Sequence, residues 1–226
     1  LENIKEGMGA FRFLIGRYGS GKSFLIGLIR SNALERGYIT SDCDLSPDRR
    51  FVGRSGQGLA VYRELIRNLS TKASPDYSAL ESILIKWFSD LQSEEINKNN
   101  FSFDSSELTY IVQKRILEVS EKLRSYVNGF EFTKVISLFY QSYVSGDEEL
   151  KSDSLKWLRG EFTNKTEARR SRINVSSIID DSNWYDYIKL YALLFRLIGY
   201  NGFVVFIDEC VNLYKIPNRI SRENNY

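Results

Sequence analysis

Residues Gly16-Arg17-Tyr18-Gly19-Ser20-Gly21-Lys22-Ser23 fit the pattern G-x-x-x-x-G-K-[ST]. The residue types at these spacings suit one task, holding a chain of phosphates. Gly16 and Gly21 permit backbone conformations that a side chain would forbid, so amides can approach anionic oxygens. Gly19 and Ser20 keep the loop narrow. Successive N–H groups form an anion nest, and the start of the following helix adds positive partial charge. Lys22 is a compact charge suited to the β- and γ-phosphates, the Ser23 hydroxyl is a hard oxygen ligand for Mg2+, and Phe24 completes the contact stretch.

A second group lies far along the chain. Phe203-Val-Val-Phe-Ile207 runs straight into Asp208-Glu209. An aspartate at the carboxyl end of a buried strand can reach a metal-bound water beside Ser23, and the next glutamate can polarise an attacking water. Strand ends on one sheet edge share a ligand crevice, which ties the two groups together. The metal pair is therefore Ser23 and Asp208, and the catalytic pair is Lys22 and Glu209. No guanine-reading Asn-Lys-x-Asp pattern accompanies them, which favours adenine and hence ATP.

These groups need a strand, a turn and a helix in a fixed order. Phe11–Ile15 is apolar apart from Arg12 and reads as a first strand buried between neighbours. The helix from Lys22 carries Leu25, Leu28, Ile29 and Ala33 on one face and stops at Gly37. Tyr38–Cys43 reads as a second strand with Asp44 at its carboxyl end. Arg49, Arg50 and Arg54 follow in a glycine-rich loop that could face phosphate or simply meet solvent.

From Leu59 the periodicity is helical. Leu59, Tyr62, Leu65, Ile66 and Leu69 form one apolar face, and Leu80, Ile83, Leu84, Trp87, Phe88 and Leu91 another. Ser93–Ser106 is polar and reads as a mobile loop. Leu108–Val127 and Phe132–Val144 are two further helices. Asp180, Asp181 and Ser182 can cap a helix over about Trp184–Ile198. Lys165, Arg169, Arg170 and Arg172 make a basic cluster.

Composition closes several routes. The chain has 226 residues and a formal net charge of +2, so bulk charge does not announce nucleic acid. It contains no histidine, which excludes Ser-His-Asp and Cys-His catalysis. Cys43 and Cys210 make neither a disulfide framework nor a zinc site, as fits a reducing cytosol. No apolar run is long enough for a membrane span. The chain opens at Leu1, ends at Tyr226 and reads as a fragment.

Beyond the motifs, the chain resembles the ATP-binding proteins of BREX (bacteriophage exclusion) systems, relatives of the AAA+ ATPases. The resemblance runs through Phe11-Arg-Phe with the glycine loop, Asp44-Leu-Ser-Pro-Asp-Arg-Arg and Tyr62-Arg-Glu-Leu-Ile-Arg-Asn-Leu-Ser. It continues in Trp157-Leu-Arg-Gly-Glu161, Phe206-Ile-Asp-Glu-Cys-Val-Asn-Leu-Tyr214 and Arg222-Glu-Asn-Asn-Tyr226. It implies an α/β fold, a P-loop NTPase (AAA+-like) parallel sheet core with a large helical insertion. Residues 1–58 and 199–226 would form the core and 59–198 the mainly helical part. It also implies a cytoplasmic, Mg2+-dependent ATPase that is homo-oligomeric or works with other defence proteins and possible DNA.

In that family's strand order the first strand and the Asp-Glu strand flank one that comes later in sequence. The expectation is therefore an incomplete core, with a three-stranded or gapped sheet. A neighbour's arginine would complete catalysis, and Arg159, Arg169, Arg170, Arg219 and Arg222 are unranked candidates. Three functions remain open: an ATPase, a nucleotide-gated binding module, and a kinase or other transferase.

Overall fold

The computed structural model describes every residue except 2, 3, 5, 18, 54 and 55. Tyr18 and Arg54, both singled out above, lie outside the described residues. The fold is mixed α/β, mostly helical, with a small two-stranded parallel sheet. The chain divides into two compact units, residues 1–80 with 195–226, and residues 81–194.

The first unit is built around the sheet. Helix α1 (Lys22–Glu35) leads into strand β1 (Ile39–Asp44) through Gly37 at φ +74°, where Tyr38 N–H donates to the Ala33 carbonyl at 3.0 Å. That left-handed turn is the stop expected at Gly37. β1 pairs in parallel with β2 (Phe203–Asp208), from Ile39 opposite Phe203 to Asp44 opposite Asp208. On its other side β1 meets Ser70 in an isolated antiparallel bridge at Thr40. Helix α2 (Gln57–Arg67) covers β1 with Val61, Tyr62, Leu65 and Ile66. Short helices α9 (Val211–Tyr214) and α10 (Arg219–Glu223) follow β2.

Two expectations fail here. Phe11–Ile15 forms no strand, and Phe11, Phe13 and Ile15 are 73%, 78% and 91% exposed. Among the described residues the sheet has two strands where the sequence predicts a three-stranded or gapped sheet, although an incomplete α/β core is what it predicts. A strand exists only where a neighbour accepts its N–H groups and donates to its carbonyls, and no described residue pairs with this segment. The same vacancy explains β2. It is a strand, as expected, but half-buried along its length rather than buried on both faces, because β1 is its one strand partner among the described residues.

The second unit contains α3 (Leu80–Asn99, from Glu81 onward), α4 (Ser106–Arg124), α5 (Gly129–Ser145), α6 (Glu148–Leu158), α7 (Lys165–Arg170) and most of α8 (Trp184–Leu197). The polar stretch after Ser93 is not all loop. α3 runs on to Asn99 because buried Glu95 accepts from Arg115 at 2.7 Å and from Asn99 at 3.0 Å. Asp180 orders the turn before α8, accepting Ser182 N–H on its side chain and Trp184 N–H on its carbonyl.

Aromatic packing holds this unit. Phe88 lies 5.0 Å from Tyr140 and 6.0 Å from Phe139, ring centre to ring centre. Trp157 meets Tyr187 edge-on at 5.3 Å and donates its indole N–H to the Ser177 carbonyl at 2.8 Å. Only 1% of Trp157 is exposed. Trp157→Ala should therefore destabilise the protein by about 3–5 kcal/mol, combining a cavity with an orphaned carbonyl. Equilibrium urea unfolding measures it, and a loss under about 1 kcal/mol would contradict this packing.

Candidate functional site

The glycine loop folds as a compact turn at the head of α1. Ser20 N–H donates to the Arg17 carbonyl at 3.2 Å. Gly19 and Gly21 sit at φ +75° and +86°, a region that excludes most side chains. A β-carbon on Gly16 would stand 2.5 Å from Ser20 Oγ, so a side chain there would push the Ser20 hydroxyl aside.

Helix α1 has no side-chain cap at its start. Its first bond runs from Leu25 N–H to the Gly21 carbonyl at 3.0 Å, so the amides of Lys22, Ser23 and Phe24 have no acceptor within the helix. Such an uncapped N-terminus of a 14-residue helix is a place for an anion. Lys22 folds back over the loop, donating to the carbonyls of Gly16 and Arg17 at 3.0 Å each. Arg17, Gly19, Ser20 and Phe24 are exposed around it.

The distant aspartate arrives beside the loop. Ser23 Oγ lies 3.4 Å from Asp208 Oδ2, across 185 residues of sequence. β1 explains the meeting, because it holds β2 in register with Asp208 at the carboxyl end. Asp208 also accepts the Glu209 N–H on Oδ1 at 2.7 Å. Glu209 stands at φ +54°, an uncommon conformation for a residue with a side chain. Its carboxylate is exposed and has no hydrogen bond or ion pair among the described residues. The loop, Lys22, Ser23 and Asp208 thus converge, with Glu209 next to Asp208.

Two residues were not marked for this site by the sequence. Asp44 faces Asp208 across the ladder, so both side chains emerge on one face of the sheet. Arg30, on α1, reaches β1 and the segment beyond Ser70. Each carried a faint signal: Asp44 ends a strand, and Arg30 lies seven residues after Ser23, on the same helix face.

The electrostatics are local. Burial pushes the Asp42 carboxyl above its ordinary range, while the Arg30 guanidinium and the Tyr77 hydroxyl draw it back. Desolvation, then the charge of Asp208, raises the Cys210 thiol. Burial drives Cys43 up to about 12. Both cysteines are free.

Other candidates are differently engaged. Arg49 pairs with Glu64 at 3.1 Å, and Asn225 fixes the adjacent turn by bonding both Val52 N–H and its carbonyl at 2.9 Å. Arg219 pairs with Glu223 at 2.8 Å, and Arg222 donates to the Ile216 carbonyl at 3.3 Å. In the second unit Lys165, Arg169 and Arg170 are exposed and Arg159 is half-buried. Arg172 is held by Asp147 at 2.8 Å and Glu149 at 3.1 Å, so it adds little to the basic cluster. Among the described residues no three Cys, Asp or Glu side chains gather to hold a metal. None of their helices is long and apolar enough to cross a membrane.

Compared with known protein families, residues 1–226 match the model described as BREX system ATP-binding protein BrxC/D. No curated protein and no solved structure matches the chain.

Proposed function

Because the chain belongs to the BREX system ATP-binding protein family BrxC/D, we propose that it is a Mg2+-dependent ATPase of the P-loop class. The family is one of ATP-binding proteins in a phage-defence system. The observation that carries the finer reading is Ser23 meeting Asp208 at the head of an uncapped helix. The residues present suit the ligands: a turn with Gly19 and Gly21 at positive φ, helix-start amides with no acceptor in the helix, a lysine, and a hydroxyl beside a carboxylate.

In this reading the amides of Gly19 to Phe24 bind phosphate oxygens. Lys22 exchanges the carbonyls of Gly16 and Arg17 for the β- and γ-phosphates. Ser23 and Asp208 would hold Mg2+, which neutralises charge on the phosphates. Glu209 orients water and takes its proton. Its positive φ, held next to Asp208, is the kind of local strain that collects at working sites. Hydrolysis then rearranges a partner. The partners of this reading are further copies of the chain or other defence proteins in the cytoplasm, with DNA a candidate through Lys165, Arg169 and Arg170.

A second reading is a nucleotide-gated assembly module with little turnover. The exposed Phe11–Ile15 segment favours it, since among the described residues no strand pairs with the segment that leads into the loop. A Mg2+ titration tests the proposed site. Adding Mg2+ should raise ATP affinity in the wild type by about tenfold or more, and Ser23→Ala and Asp208→Asn should each remove most of that gain. Equal Mg2+ enhancement in all three proteins would refute the assignment of these two ligands.

A further inference from the structure

Lys22 and Ser23 sit on the first turn of α1, so whatever fixes α1 fixes them. The apolar side chains of α1 are fully buried only at its far end, with Ile26 half-buried. Ala33 and Leu34 are buried, whereas Leu25, Leu28 and Ile29, which share the expected apolar face with Ala33, are 41%, 52% and 39% exposed. The middle of the helix is held instead by Arg30. Its Nη2 donates to Ser70 Oγ and to the Pro75 carbonyl, both at 2.9 Å. Its Nε lies 3.7 Å from Asp42 Oδ1, and its guanidinium stacks 4.7 Å from the Tyr77 ring centre.

The partners are themselves tied down. Tyr77 donates its hydroxyl to Asp42 Oδ2 at 3.2 Å and stands at φ +69°. Ser70 bridges to Thr40 on β1. Asp42 precedes Asp44 by two residues and so shares its face of the sheet, the face that Asp208 shares in register. Arg30 and Ser23, seven residues apart, therefore meet one sheet face at two points, Asp42 and Asp208.

We infer that Arg30 is a positioning residue for the phosphate site: it latches α1 to β1 and to the Ser70–Tyr77 segment and thereby keeps Ser23 beside Asp208. Nη2 makes both hydrogen bonds while the planar guanidinium stacks on Tyr77 and sets its charge beside Asp42, a combination a lysine would not reproduce. The inference rests on the nucleotide reading above for its functional half. Its structural half stands on α1 alone.

The test combines three proteins and two readouts. In Arg30→Ala, amides of Phe24–Ile29 should exchange hydrogen about tenfold faster without nucleotide, while β1 and β2 keep their protection. Its affinity for Mg–ATP should fall about tenfold, as expected for losing a charged hydrogen-bond cluster. Combined with Ser23→Ala, the losses should be well short of additive, because both act through one contact. Tyr77→Phe removes a single hydroxyl and should move both readouts the same way by about twofold, which covers a failure of Arg30→Ala to fold.

Unchanged exchange in α1 overturns the latch. Faster exchange with fully additive affinities overturns the positioning role and leaves a structural anchor. Failure of the wild type to bind Mg–ATP refutes the nucleotide reading and the functional half with it, whatever α1 does.

Discussion

Glu209→Gln is expected to reduce ATP turnover by about 10²–10⁴-fold while leaving Mg–ATP affinity within about twofold of wild type. Glutamine keeps the shape and hydrogen-bonding reach of the side chain. It loses the negative charge that polarises water and the site that accepts its proton. Because the Glu209 carboxylate is exposed and unbonded among the described residues, the substitution breaks nothing else. Phosphate release under saturating ATP measures the effect. A protein whose slow turnover is unchanged by Glu209→Gln uses another group, and the gated-module reading would replace the ATPase.

Lys22→Ala is expected to weaken ATP binding by about 100-fold or more, since it removes a positive charge held over the loop carbonyls. Lys22 makes two bonds to loop carbonyls in the free protein, so binding exchanges these for phosphate oxygens rather than immobilising a free side chain. The loss should be smaller for AMP, which lacks the β- and γ-phosphates that Lys22 serves. The loop conformation itself is set by Gly16, Gly19 and Gly21, so the variant should retain its fold.

The candidate site was legible where chemistry dictates residue type. A lysine and a serine after glycine-spaced positions, and an aspartate after an apolar run, have few other uses together. Register then did the rest, since Asp208 reaches Ser23 only because β2 lies beside β1 with their carboxyl ends aligned. Gly37 ended α1 as its lack of a β-carbon allows.

What escaped the sequence depends on neighbours rather than on local pattern. Phe11–Ile15 has the apolar composition of a strand, but pairing is a property of two segments, and its second segment is not among the described residues. The expected apolar face of α1 is likewise open at Leu25, Leu28 and Ile29, since burial depends on what packs against a helix and not on its own periodicity. Glu95 looked like part of a solvated stretch until Arg115 paired with it. The contacts of Arg30 left no local pattern to read, because its partners Asp42, Ser70 and Pro75 are scattered along the chain.

The most direct measurement is calorimetric titration of ATP with Mg2+ into the wild type and into Lys22→Ala. The account predicts saturable binding at one site per chain in the wild type, at about micromolar affinity, and no detectable binding in the variant at the same concentrations. Equal binding by both proteins would place nucleotide away from the Gly16–Ser23 loop and contradict the central claim.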